Sequence, residues 1–474
     1  MSRCKPTIEQ IIKSNNSIEL MHCWSNKWNN YNLIIKGLSK LFMYLDRFYT
    51  PNTESVLPLR EQGYKLYREV IFDTFHMNIR QCILECINKE RNNIIQDRHI
   101  VQQNVNVFIE LGTYTQHGTA TATNTNTNNI HAQHSRKLEL YINTLEKFII
   151  DDTIEFYKLV SQQWLNDDSC MTYLDKCDSV LQAETQRCES YLHRNTIEPL
   201  TRASYNELLH NHQSVLLNKP TGLNYMLDNK LLNDLSKLFK LYRIESNDLE
   251  LISVMFSEFI KSKGLAILEK AKSSNAAINN EKQHNDKNND DTQISDSNTV
   301  YSNTNTTTPT NSSISSTAAP SDRSKSSSTT DNVNHKLVSD LIQLHSDYNN
   351  IVSQCFDKVQ IMQKSLKRAF EDFINMDNRV SKLLAKYAND VLRKNSKVEH
   401  IVSISNTLEN IVFLYGYIQD KDVFEHDYQI YLAQRLLKNE CDSEHAEKEM
   451  IAKLKSQCGY QWTNKLEGMN YMKM

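Results

Sequence analysis

The chain has 474 residues, a formal net charge of −3 and a hydrophobic share of 39%. It is long enough for several cores, lacks the basic excess of a nucleic-acid binder, and falls below the roughly 45–50% apolar share of ordinary globular chains. Only 9 glycines and 7 prolines occur, too few for the many turns of a sandwich or barrel, so composition favours long helices. No apolar run approaches the roughly 18 residues of a membrane span. Residues 1–17 lack the apolar centre of a secretory signal. The 10 cysteines are scattered, which reads as the reduced thiol set of a cytoplasmic or nuclear protein.

In chain order, the first strong periodicity runs from Tyr31 to Tyr49. Ile34, Leu38, Leu41, Leu45 and Phe48 fall at spacings of three and four, and Ile35, Phe42 and Tyr49 form a second apolar line. Two lines let one face pack on the domain while the other meets a second helix or a partner; burial of the whole helix is the plainer expectation. Pro51 ends it. Leu59 to Asn92 predicts one or two further helices, and Ile100 to Leu111 a short one closed by Gly112. Residues 113–135 turn Thr/Asn-rich and predict a disordered insert. Amphipathic stretches resume at Lys137 and are followed by Tyr173–Tyr191, Thr201–Leu217, Leu231–Tyr242 and Asp248–Ala271.

A second insert, 273–334, is rich in Ser, Thr, Asn and Asp and predicts disorder. It divides an N-terminal helical region, 1–272, from a C-terminal one, 335–474. The strongest heptad-like line follows, from Leu337 through Tyr348, Cys355 and Met362 to Phe373. Four more faces are Leu383–Leu392, Leu408–Ile418, Phe424–Leu436 and Ala446–Cys458, the last with Gly459 as its terminating residue.

Motifs for chemistry are missing. There is no phosphate-binding Gly-rich loop, nucleophile elbow, HExxH or paired CxxC. Cys82, Cys86 and His76 offer three possible ligands without a fourth, so packing is the better reading. His22 with Cys23, and His210 with His212, diverge on helices. Asp420, Asp422 and Glu425 gather where a helix begins and suit its N-terminal dipole rather than acid–base work. The sequence therefore predicts no catalytic residue, no cofactor and no metal.

From Glu409 onward the residues carry a family resemblance. "KDVFEHDYQIYLAQRLL" (421–437) presents Lys421, Asp422, Phe424, Glu425, Tyr428, Leu432, Ala433, Arg435, Leu436 and Leu437 at fixed offsets. "AEKEMIAKLKSQCGYQWTNKLEGM" (446–469) adds Glu447, Met450, Ile451, Lys453, Leu454, Lys455, Cys458, Gly459, Thr463, Lys465, Leu466, Glu467, Gly468 and Met469. The pattern resembles the cullin-homology signature. Upstream, Trp28 with "FMYLDRFY" (42–49) and "KERN" (89–92) are similar to a cullin repeat, while "YLH" (191–193) and "KGLAILEK" (263–270) resemble cullins that use Skp-type adaptors.

The resemblance implies an all-α fold: elongated stacked helical repeats, then the start of the cullin-homology four-helix bundle. It implies a non-catalytic scaffold of a ubiquitin ligase, holding a Skp-type or BTB-type substrate adaptor at its N-terminal repeat, with neither nucleic acid nor membrane as partner. A stiff scaffold would raise the effective concentration of the reacting groups it holds. Lys36, Ser39, Lys40, Met43 and Asp46 lie off the main apolar stripe of the Tyr31–Tyr49 helix and are the candidate adaptor contacts. The chain departs from the family by starting a few turns before Trp28 and stopping at Met474. It is thus expected to be truncated at both ends and to recruit a RING protein only if a further C-terminal region exists. A helical tethering protein without ligase role is the alternative that periodicity alone would also fit.

Overall fold

The computed structural model describes residues 5–14, 16–53, 56–114, 138–245, 247–288, 323–393 and 401–471. Among them every regular element is helical, and the only β-type pairing is an isolated bridge between Arg393 and Cys441. The chain divides into two compact units, Met1–Gly222 and Leu223–Met474.

The first unit begins with α1 (Lys5–Ser14) and α2 (Ser17–Leu41). Asn16 caps α2 by accepting from the Glu19 amide at 3.3 Å. The inward face of α2 is Met21, Trp24, Trp28, Asn32 and Ile35. α3 (Met43–Phe48) follows after a break at Phe42, so the Tyr31–Tyr49 helix of the sequence reading is two helices. α4 (Leu59–Tyr67) passes through a π turn at Arg68–Phe72 into α5 (Asp73–Arg91). α6 (Arg98–Tyr114) runs past Gly112, which does not end it. Trp24, Trp28, Tyr64, Tyr67, Phe72 and Phe108 fill the space between these helices, with Trp28 edge-on to Tyr67 at 4.9 Å. Cys82 and Cys86 are buried in the same core. Burial pushes the Cys86 thiol up to about 11, as expected for a thiol in apolar surroundings.

The unit continues with α7 (Lys147–Asp167), α8 (Cys170–Tyr191), α9 (Arg194–Leu208) and the short α10 (Gln213–Leu217). α9 starts seven residues before the expected Thr201 and carries Pro199 inside it. A buried ionic cluster ties α5, α7 and α8 together. Arg91 donates to Glu184 at 2.9 Å and to Asp152 at 3.1 Å; Arg187 donates to Glu184 at 2.8 Å, and the Tyr157 hydroxyl also reaches Glu184. Burial works to raise the Glu184 carboxyl, but Arg91 and Arg187 outweigh it and hold it below the ordinary carboxylate range. The expected insert at 113–135 has no described residue beyond Tyr114.

The second unit contains α11 (Leu223–Asp228), α12 (Leu232–Tyr242), α13 (Asp248–Asn288) and α14 (Arg323–Gln354). Helix thus enters the 273–334 segment from both sides, while 289–322 lies outside the described residues. The entry has a packing reason: Ala271 and Asn275 are buried, and the Asn275 amide donates to Asn334 at 3.2 Å. α14 stops at Gln354, and a turn with left-handed Asp357 and Lys358 leads into α15 (Gln360–Ile374). The continuous line from Leu337 to Phe373 therefore belongs to two helices. α16 (Val380–Leu392), α17 (Ile401–Tyr417), α18 (Lys421–Lys438), α19 (Glu444–Cys458) and α20 (Tyr460–Tyr471) complete the unit.

α13 and α15 approach closely where Gly264 meets Phe373. A Cβ on Gly264 would lie 2.5 Å from the Phe373 ring, and an aromatic ring in a packed core cannot yield at its end as a flexible side chain would. Gly264→Ala is expected to cost about 1–3 kcal/mol, read as a lowered urea midpoint; an unchanged midpoint would mean that the two helices can separate freely.

His345 on α14 is enclosed by Phe370, Phe413 and Tyr417, and its Nε2 shares a 3.0 Å hydrogen bond with the Tyr417 hydroxyl. Burial depresses the imidazole to about 4. In the unfolded chain it protonates near its ordinary value of about 6.5, so between those values the unfolded state binds more protons and stability rises with pH. Stability is expected to be full above that ordinary value and to fall as pH drops toward about 4. His345→Phe should flatten this part of the curve in pH-dependent urea melts.

Candidate partner-docking surface

The C-terminal end of α2 and the whole of α3 carry an exposed apolar surface. Its orientation is decided upstream, by the tryptophans. Trp28 Nε1 donates to Glu110 at 3.0 Å, the Asn32 amide donates to the same carboxylate at 3.2 Å, and the Tyr64 hydroxyl donates to Asn32 at 2.7 Å. The Tyr31 hydroxyl donates to the Gly63 carbonyl at 2.8 Å; burial and the neighbouring Tyr64 push its phenol up to about 12. These bonds fix the rotation of α2 and place Ile35 inward. Ile34, one residue or about 100° away on a helix, then faces out.

The stripe that the sequence reading treats as the main packing face is therefore largely exposed: Ile34, Leu41, Leu45 and Phe48 all lie in solvent, and so do Phe42 and Tyr49 of the second line. Leu41 is 78% and Tyr44 73% exposed. No residue of α3 is buried. Burying such a surface in a partner is favourable at roughly 25 cal/mol per Å², and contiguous apolar surface of this kind marks interaction sites.

Of the residues singled out from sequence, Lys36, Lys40 and Met43 are exposed beside this surface, while Ser39 and Asp46 are half-buried. Asp46 has an internal partner: its carboxylate accepts from the Leu59 amide at 2.9 Å and so caps α4. The sequence reading leaves Leu33 and Tyr44 unassigned and puts Leu41 and Phe42 on the two apolar lines without naming them as candidate contacts. A signal was present in the five consecutive apolar residues 41–45. At about 100° per residue they span more than a full helical turn, so no single helix could bury them all on one face.

The C-terminal signature is brought together as a packed bundle. Phe424 and Tyr428 stack at 5.8 Å, and the Arg435 guanidinium lies 5.7 Å from the Tyr428 ring. Arg435, 1% exposed, donates to both oxygens of Glu447 at 2.7 and 2.9 Å and to Asn389 at 2.8 Å, joining α18, α19 and α16. Leu432, Met450, Ile451, Leu454 and Leu466 are buried as well. Glu425 accepts from the Tyr415 hydroxyl at 2.8 Å, and Lys421 lies 5.5 Å from the same ring. Lys455 pairs with Glu467 at 2.8 Å. Gly459, at φ +79°, ends α19 as expected, and the buried Thr463 hydroxyl donates to its carbonyl at 3.1 Å.

Other signature positions stay apart from this bundle core. Asp422, Leu437 and Lys465 are exposed, and Ala433, Leu436, Gly468 and Met469 are half-buried. Lys453 pairs with Glu449, outside the signature, at 3.5 Å. The Cys458 side chain lies outside the described residues. Among the described residues no cluster of three or more His, Cys, Asp or Glu is arranged to hold a metal ion, and no helix is long and apolar enough to cross a membrane.

Among the described residues the regular elements are all helices, the end of α2 with α3 presents exposed apolar side chains, and the C-terminal signature residues largely pack against one another. The chain belongs to the cullin family: the family model described as the cullin alpha solenoid domain matches residues 2–471. Cullins are not themselves catalytic. Cullin-3A of Arabidopsis thaliana is 26% identical over 448 residues, covering 94% of this chain and 50% of that protein. Cullin-1 of Oryza sativa subsp. japonica is 27% identical over 448 residues, covering 94% and 51%. Cullin-2 of Arabidopsis thaliana is 25% identical over 471 residues, covering 98% and 54%. The chain thus spans about half the length of the curated relatives it matches.

Proposed function

We propose that this chain is the scaffold part of a cullin-RING ubiquitin ligase and that α2–α3 docks a substrate adaptor. The observation that carries the reading is the exposed run 41–45, which spans the end of α2, a helix whose rotation is fixed by hydrogen bonds of Trp28 and Tyr64, and the start of α3, none of whose residues is buried. Lys36, Lys40 and Arg47 border this apolar surface, all exposed. An apolar centre with a basic rim suits an adaptor that presents an apolar groove edged by acidic groups. Skp-type and BTB-type adaptors are both compatible with it. The free thiols among the described cysteines suit the reducing cytoplasm or nucleus.

The test is mass spectrometry of proteins that co-purify with a chain tagged at its native locus. Recovery of an adaptor together with a RING protein would establish a complete ligase scaffold. An adaptor without a RING protein would confine the role to adaptor holding. Recovery of neither would overturn the reading in favour of a tethering role.

A further inference from the structure

In the second unit a cavity of about 460 Å³ opens between α14, α15 and α17, with Gln457 at the end of α19 closing one side. That is within the roughly 300–1,000 Å³ of ligand-sized pockets. Its floor is apolar and aromatic: Leu366, Phe413, and the rings of Tyr417 and His345. Its rim is polar but carries no carboxylate. Asn349, Gln363 and Gln457 supply side-chain amides, and Lys358 and Lys367 supply charge.

We propose that this cavity is a docking site for a short acidic peptide segment bearing one aromatic anchor. Three features select that occupant. The floor accepts a ring among rings, where offset and edge-on contacts are favourable. The rim amides each donate and accept, as a peptide backbone requires, whereas a simple anion would need donors alone. The charge is one-sided. Lys358 forms no ion pair among the described residues, and Lys367 has only Glu371, one turn along its own helix at 3.6 Å. Lys364 and Arg368 extend the basic face of α15.

The position of Lys358 is itself built. Asp357 and Lys358 adopt consecutive left-handed conformations, φ 46° and 54°, which non-glycine residues avoid. Arg243 anchors Asp357 at 2.7 Å, and the Lys358 amide donates to the Val352 carbonyl at 3.1 Å. Strain held in place by its surroundings at a cavity edge accords with a recognition role.

The site is tested by titrating the full chain into a fluorescein-labelled peptide, Asp-Glu-Phe-Asp-Glu, and reading anisotropy. Binding should be saturable and should weaken about tenfold in each of two variants. Lys358→Glu combined with Lys367→Glu reverses the charge. Gly416→Leu fills the mouth: Gly416 lines the cavity, and a Cβ there meets only Gln457 Oε1, at 3.7 Å. That space makes the variant compatible with the fold, and unchanged circular-dichroism melting will verify it. Raising salt from about 50 to about 300 mM should also weaken binding. Equal binding of the peptide with Ala in place of Phe would overturn the proposal by showing charge attraction alone. So would unchanged affinity in a folded variant, displacement by inorganic phosphate at matching concentration, or absence of binding.

Discussion

A chain carrying Leu41→Glu and Tyr44→Glu is expected to melt at the wild-type temperature and to fail to capture the proposed adaptor. Both side chains are more than two-thirds exposed, so neither contributes to the core, and exposed substitutions of this kind usually change stability by no more than about 0.5 kcal/mol. In a docked complex the same positions would be enclosed. Two carboxylates buried in an apolar interface centre, each costing about 2 kcal/mol or more, correspond to a loss of roughly a thousandfold in affinity. The measurement is adaptor capture by the tagged variant beside wild type, with thermal melts of both. Undiminished capture would move the adaptor away from α2–α3. A lowered melting temperature would mean that this face packs against the chain itself.

Arg435→Leu will destabilise the second unit by about 3–5 kcal/mol, because it leaves the Glu447 carboxylate buried without its counter-charge. Arg435 and Glu447 are each about 1% exposed, so water cannot take over the role of the missing partner. Arg435→Leu combined with Glu447→Leu should recover most of that loss. Replacing a buried ion pair by apolar groups of similar size is often neutral, whereas orphaning one member is not. Urea melts of wild type, both single variants and the double variant close the cycle. If the double variant is no more stable than Arg435→Leu, Arg435 acts through Asn389 and the Tyr428 ring rather than through Glu447.

The all-helical class was legible in composition, and most helices were legible from their periodicity, because an amphipathic stripe needs only local sequence. α19 with its Gly459 terminus shows this well: serine, acidic first turn, apolar stripe and glycine all agree. Helix breaks were harder. At Phe42 and again at 355–359 the apolar spacing continues across the break, and neither place carries a glycine or proline. The turn at Asp357 and Lys358 closes on a local backbone bond from the Lys358 amide to the Val352 carbonyl and a surface ion pair from Asp357 to Arg243, neither of which the apolar periodicity displays.

The candidate docking surface was half legible. The helix and its two apolar lines were apparent, but which line faces in depends on Trp24 and Trp28. Those residues lie before the Tyr31 start that the periodicity suggested. Starting the helix at Ser17 puts the tryptophans in register with Ile35 and turns Ile34 outward. The signature residues were readable as a pattern, and Arg435 was readable as a charge in the apolar register of Phe424, Tyr428 and Leu432. That its partner is Glu447, on the next helix, needed the fold.

α3 rests on the first unit without burying a single residue. Its ties are polar, through the Asp46 carboxylate to the Leu59 amide and through Thr50, Thr53 and Asn52 to carbonyls of residues 45–49. Its amide hydrogens therefore belong at the low end of the protection range in exchange experiments, well below those of the tryptophan-bearing part of α2. Trp24, Trp28 and their aromatic neighbours form the buried core of this region, whereas the proposed partner contacts fall in residues 41–49. Because the two sets of side chains are separate, this exposed face can accept sequence change without loss of the fold, and, if it docks a partner as proposed, a change of partner would require substitutions at that face alone.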